Sequence, residues 1–84
     1  MPVIHRFEIP VDDQWHAVEE CSTPLHIDCR NPSVVEFWAW QRIDLPPRWF
    51  RVFGTGHPVP DDAQYRGTVV APGAALVWHL MERR

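Results

Sequence analysis

Apolar and polar residues alternate with a period of two along most of this chain, and turn-forming residues break the alternation about every ten positions. Val3 to Ile9 reads as a strand with Val3, His5, Phe7 and Ile9 on one face; Pro10 ends it and Asp12-Asp13 turns the chain. Trp15 to Glu19 is a second, short strand, and Ser22-Thr23-Pro24 is a turn. Leu25 to Cys29 alternates so that Leu25, Ile27 and Cys29 face the core. Arg30-Asn31-Pro32-Ser33 is the strongest hairpin signal of the first half, and Val34 to Ile43, rich in β-branched and aromatic residues, is the longest strand. Leu45-Pro46-Pro47 is a loop, because two consecutive prolines cannot sit within a strand or helix ladder. Trp49 to Phe53 is a strand ending in a turn or bulge at Gly54-Thr55-Gly56. A loop from Pro58 to Ala63, a strand from Tyr65 to Val70, a turn at Ala71-Pro72-Gly73 and a last strand from Ala75 to Met81 complete the chain. No helix longer than about a turn is predicted. The pattern predicts one all-β domain over residues 1–84, a small antiparallel sandwich or barrel of six to seven strands.

Two of these strands are apolar on both sides. Val35, Phe37 and Ala39 share one face, while Trp38 and Trp40 share the other with Glu36. Trp49, Arg51 and Phe53 likewise lie opposite Phe50 and Val52. A sandwich or barrel leaves its outer face wet, so outward aromatics need a cover: a loop, a partner subunit or a ligand. Trp38, Trp40 and Trp49 are therefore candidate partner-interface residues. An 84-residue chain is also near the size at which a single core barely suffices. Five Trp and four Phe supply dense packing, and Trp is enriched at interfaces, so a homo-oligomer is expected.

The net charge of −3 gives no basic surface for non-specific nucleic-acid binding. All eight basic residues are Arg, which suits bidentate anion recognition but also follows from codon usage in a GC-rich genome. The N-terminus lacks a basic segment followed by an apolar run, and no stretch approaches the roughly 18 apolar residues of a membrane span, so a cytoplasmic protein is expected. In that compartment Cys21 and Cys29 are expected as free, buried thiols. His16, Cys21, His26 and Cys29 are zinc-ligand types, but their spacing fits no compact knuckle, and His26 and Cys29 point to opposite faces of one strand. No metal and no cofactor is expected.

The one compact motif is Gly54-Thr55-Gly56-His57-Pro58. Two glycines one residue apart allow positive φ and a nest of successive backbone N–H groups, which binds anions. Thr55 and His57 add donors, and Arg51 or Arg66 adds charge, so Arg51, Gly54, Thr55, Gly56, His57 and Arg66 form a candidate ligand-binding set for a small anion. The plainer reading is a glycine bulge that ends a strand, with His57 capping a turn. No helix follows the motif, so it is not a nucleotide fingerprint. No serine sits in a nucleophile elbow. A Cys21–His26 pair requires that the fold bring the two together, and Glu36 with Asp44, or Asp61-Asp62, could form a carboxylate pair, although adjacent acids in a loop are usually solvated turn formers; no catalytic residue is assigned.

The segments FRVFGTGHPV (Phe50 to Val59), YRGT (Tyr65 to Thr68) and ALVWHL (Ala75 to Leu80) resemble a small, uncharacterised protein family found in bacteriophages, particularly those of actinobacteria. The resemblance carries no activity. It implies an accessory phage protein acting in the host cytoplasm, and the absence of Lys fits that setting. The leading expectation is a non-enzymatic protein, working as a homo-oligomer, that binds a host protein of regulatory or defence function. A second is a protein that captures a small nucleotide-like anion at the glycine loop. A third is a small enzyme whose class no motif identifies. Neither nucleic acid nor membrane is an expected partner.

Overall fold

Each cluster of Pro, Gly and Asp ends a strand, and the stretches between them pair. The computed structural model describes residues 1–83 as seven strands, with no helix among the described residues. They are β1 (Val3–Pro10), β2 (His16–Val18), β3 (His26–Asn31), β4 (Val34–Gln41), β5 (Arg48–Gly54), β6 (Gln64–Val70) and β7 (Val77–Arg83). All pairings are antiparallel. They form two sheets, β1-β4-β3 (sheet A) and β2-β5-β7-β6 (sheet B). The all-β expectation holds, and of its two forms the sandwich is realised.

The period-two pattern places the core between the sheets. Ile9, Cys29, Val35, Phe37 and Ala39 face inward from sheet A, and Phe50, Val52, Val69 and Leu80 from sheet B. Phe37 of β4 meets Phe50 of β5 at 4.8 Å between ring centres, and Phe7 of β1 stacks on Phe37 at 5.2 Å. The sheets come closest where β3 crosses β6. A Cβ on Gly67 would stand 1.9 Å from Ile27 Cδ1 and 2.8 Å from its Cγ1, so only a hydrogen fits there.

Several strand ends differ from the sequence pattern, and three of the differences have a visible cause. β4 stops at Gln41 instead of Ile43, because the Arg42 N–H donates to Glu20 C=O and the chain then turns, leaving Ile43 in solvent. β7 starts at Val77 instead of Ala75, because Gly73 and Ala74 both take positive φ and the Ala71 N–H donates to Leu76 C=O, closing a longer turn. Leu25 continues the inward alternation of β3 but precedes its first residue, and it is exposed because nothing in the opposite sheet covers it.

Each sheet carries one buried carboxylate on a central strand, held by an arginine from either side. In sheet A, Glu36 of β4 accepts 2.8 Å and 2.7 Å bonds from Nε and Nη2 of Arg30 in β3, and a 2.8 Å bond from Nη1 of Arg6 in β1. In sheet B, Glu82 of β7 accepts from Nη1 of Arg48 in β5 at 3.1 Å and 3.2 Å, and from Nε of Arg66 in β6 at 2.7 Å. Glu82 is 1% exposed.

Gly67→Ala should cost about 1–3 kcal/mol by forcing Ile27 out of its rotamer. The cost should fall in an Ile27→Val background, which removes the closest atom. Urea midpoints of the four proteins of this cycle check it.

Candidate functional site

The glycine motif forms a four-residue turn at the end of β5. The His57 N–H donates to Gly54 C=O at 3.2 Å, and Gly56, third in the turn, takes φ of 88°. Positive φ at that place is what a type II turn requires, and glycine supplies it without strain. Gly54 has ordinary φ; its lack of a side chain serves packing, since a Cβ would press to 3.3 Å on both the His57 ring and Trp78. Thr55 points to the outer face of sheet B, where its Oγ1 lies 2.7 Å from His79 Nε2. His79 Nδ1 is 2.9 Å from Thr68 Oγ1, which lies 2.5 Å from the Tyr65 hydroxyl. Whichever ring nitrogen of His79 carries the proton, a threonine hydroxyl completes the bond on each side. This chain of four side chains ties the turn to β7 and β6.

Between this turn and the β6–β7 turn lies a depression of about 360 Å³, lined by Gly54, Thr55, His57, Leu76 and Trp78 among others. The Trp78 Nε1–H is engaged, donating to Pro32 C=O at 3.1 Å. The depression thus offers an indole and apolar side chains with two polar handles, Thr55 and His57.

Of the six residues grouped from sequence as a ligand set, the structure brings together Gly54, Thr55, Gly56 and His57 and holds the two arginines elsewhere. Arg66 sits at a bulge in β6 between Tyr65 and Gly67, which turns it inward onto buried Glu82. Arg51 sits over Phe53, 4.4 Å from its ring centre, with Nη2 3.9 Å from Asp13. No arginine among the described residues lines the depression. Its chemistry therefore favours an uncharged ring over a phosphate.

The three tryptophans grouped as an interface divide between the sheets. Trp49 is on the outer face of sheet B. On that face Trp15, from the β1–β2 connection, packs edge-on to Phe53 at 6.0 Å, and Arg83 covers Trp15 at 4.5 Å. The protein's own connection thus covers Phe53, although Trp49 stays partly exposed. Trp38 and Trp40 are on the outer face of sheet A. Trp40 pairs across the strands with Ile4, and Trp38 with Arg6 and with His26, whose ring is 5.7 Å away. Ile4 is 53% exposed and Trp40 40%. Farther along this face lie Glu36 and its two arginines, with Glu8 and Asp28 on either side of Glu36 in register.

Cys21 and Cys29 are both buried free thiols. Burial pushes the Cys21 thiol up to about 11, and burial also raises that of Cys29. Both are accordingly poor nucleophiles at neutral pH. No three metal-ligating side chains cluster among the described residues, and no helix there is long and apolar enough to cross a membrane.

His79, Thr68, Leu76, Trp78 and Ile4 were not assigned to a site from sequence. Strand parity alone put His79 and Thr68 on one face of their strands, but meeting Thr55 required the register of three strands and the shift at Arg66.

A family model for a domain of unknown function, DUF7352, matches residues 1–84, and the chain belongs to that family. No curated protein and no solved structure matches the chain.

The Glu36 clasp sets a pH dependence. Hydrogen bonds from Arg30 draw its carboxyl down from the ordinary 4.5 to about 2, against the cost of burial and with help from Arg6. A depressed carboxylate contributes stability that is fully present above about 4.5 and lost as pH falls toward 2. Thermal melts should show Glu36→Gln well below wild type at pH 7, with the gap narrowing between pH 4.5 and 2.

Proposed function

We propose that this member of the DUF7352 family is a non-catalytic binding module that docks a protein partner through the aromatic end of the outer face of sheet A. The supporting observation is the exposure of Trp40 at 40%, although it sits on the central strand of its sheet, beside Ile4 at 53%. Trp38 extends the patch inward, and Ile43, at 87%, flanks it where the chain leaves β4. An apolar patch bordered by charge, here Arg6, Glu8, Glu36 and Arg30, has the make-up of an interface core with a polar rim. Trp49 lies on the opposite face and is not part of this surface. The resemblance of the second half to phage proteins supports a host cytoplasmic protein as partner, regulatory or defence-related, met by a homo-oligomeric accessory protein.

A second reading has a separate support, the depression beside Thr55, His57 and Trp78. Its volume of about 360 Å³ is within the range that small ligands occupy. On this reading the ligand is a small, uncharged aromatic ring stacked on Trp78.

The partner is to be recovered from the host by immobilised wild-type protein, identified, and titrated against variants. Trp40→Ala should weaken its binding by about 30-fold or more, the typical loss for a central Trp, while leaving the circular dichroism spectrum and urea midpoint near wild type. Undiminished binding by Trp40→Ala defeats the docking surface. His57→Ala separates the readings: it should spare the protein partner and reduce only the capture of a small ligand, read by native mass spectrometry.

A further inference from the structure

Three of the four sheet edges are protected against pairing. β2 is only three residues long. β3 is broken by a register shift between Asp28 and Asn31, and β6 by another between Tyr65 and Gly67. Short, bulged strands of this kind are how sheets avoid edge-to-edge association. β1 is different. Its eight residues pair with β4 without interruption, and its other edge carries no partner strand among the described residues. Along this edge Val3 and Ile4 are more than half exposed, and Phe7 is only partly buried.

We propose that the edge of β1 is the site at which a second copy of this chain joins, antiparallel to the first about a two-fold axis through Phe7. The proposal takes up the homo-oligomer of the reading above and assigns it to a strand edge that adjoins the docking face, with Ile4, Arg6 and Glu8 lying where the two meet.

Charge selects both the occupant and the register. Paired residues in an antiparallel sheet lie on the same face, so the two-fold must pass through a residue and not between two. Centred on Phe7, the pairing sets Arg6 opposite Glu8 of the second copy and Glu8 opposite Arg6 of the second copy. His5 then faces Ile9, Ile4 faces Pro10, and the two Phe7 meet at the axis. Centred one step earlier on the same face, Arg6 would face Arg6; one step later, Glu8 would face Glu8. Both neighbouring registers put like charges together, which is unfavourable. Arg6 and Glu8 lie on the outer face with side chains 46% and 55% exposed, and within one chain they approach only to 3.7 Å. Glu8 makes no hydrogen bond to Arg6 within the chain, so it is open to the second copy. The product is a six-stranded sheet, β3-β4-β1-β1-β4-β3, with the two aromatic docking ends on one continuous outer face.

Light scattering of the wild-type protein at micromolar concentration should give twice the single-chain mass of 9.8 kDa. Glu8→Arg turns two attractions into two repulsions and should raise the dimer dissociation constant about 10- to 100-fold, with an unchanged circular dichroism spectrum. A measurement independent of mutation is amide hydrogen exchange, in which β1 amides should slow as wild-type concentration rises. A wild-type protein that stays a single chain at about 100 μM overturns the proposal. So does a dimer that survives Glu8→Arg, or one whose concentration-dependent protection falls on another strand. The docking reading fails separately, when Trp40→Ala binds the partner undiminished; light scattering and hydrogen exchange of the protein alone do not involve the partner and so test only the β1 interface.

Discussion

The contact between Phe37 and Phe50 is the constraint on which the rest of the structure depends. Both rings are fully buried, one on a strand of each sheet, and they join the two sheets at the centre of the core. Ile9, Val35, Ala39, Val52 and Leu80 close around them with almost no exposed surface. A sandwich of seven short strands has one such layer and no second core to fall back on. Strand geometry then dictates the outer surface. Once Val35, Phe37 and Ala39 point inward, Glu36, Trp38 and Trp40 must point outward. The exposed aromatic end of sheet A is thus a direct consequence of packing its inner face.

The same alternation puts a carboxylate on a central strand of each sheet, where burial would be costly without charge compensation. The protein answers with arginine in both places. Glu36 is bound by Arg6 and Arg30, Glu82 by Arg48 and Arg66, and each clasp links three neighbouring strands. Arg30 grips Glu36 with two nitrogens at once, which a lysine ammonium on a flexible stem does not reproduce. Arg51 and Arg83 serve differently, sitting over the rings of Phe53 and Trp15 and so screening them from water. The all-arginine basic complement therefore has a structural use in at least six positions, whatever the genome's codon preference. It also explains why the arginines expected beside the glycine turn are not there. Their guanidinium groups are committed to the protein's own carboxylates and rings.

In the glycine motif a positive φ at one of the two glycines is legible from sequence, because a Gly-x-Gly turn between strands has few other uses; that it falls on Gly56 is decided by the turn geometry. The role of Gly54 is not legible, since it is set by His57 and by Trp78, which lies in the paired strand β7. The partners of Thr55 lie farther off still, on β7 and β6. Likewise the presence of outward aromatics was readable from parity, but their cover was not. Phe53 is covered because Trp15, from the β1–β2 connection, packs on it, whereas Trp40 stays 40% exposed.

By itself the sequence determined the fold class, the number and approximate bounds of the strands, the turns between them and which residues alternate inward. These follow from period two and from proline and glycine, which act within a few residues along the chain. Only the tertiary structure decided strand order, the pairing of β1 with β4 instead of β2, the carboxylate clasps, the bulges that turn Arg66 inward, and which strand edge stays open. Each of these depends on residues far apart in sequence, such as Arg6 with Glu36 and Arg48 with Glu82, whose meeting is fixed by register and by sheet packing and by nothing local to either.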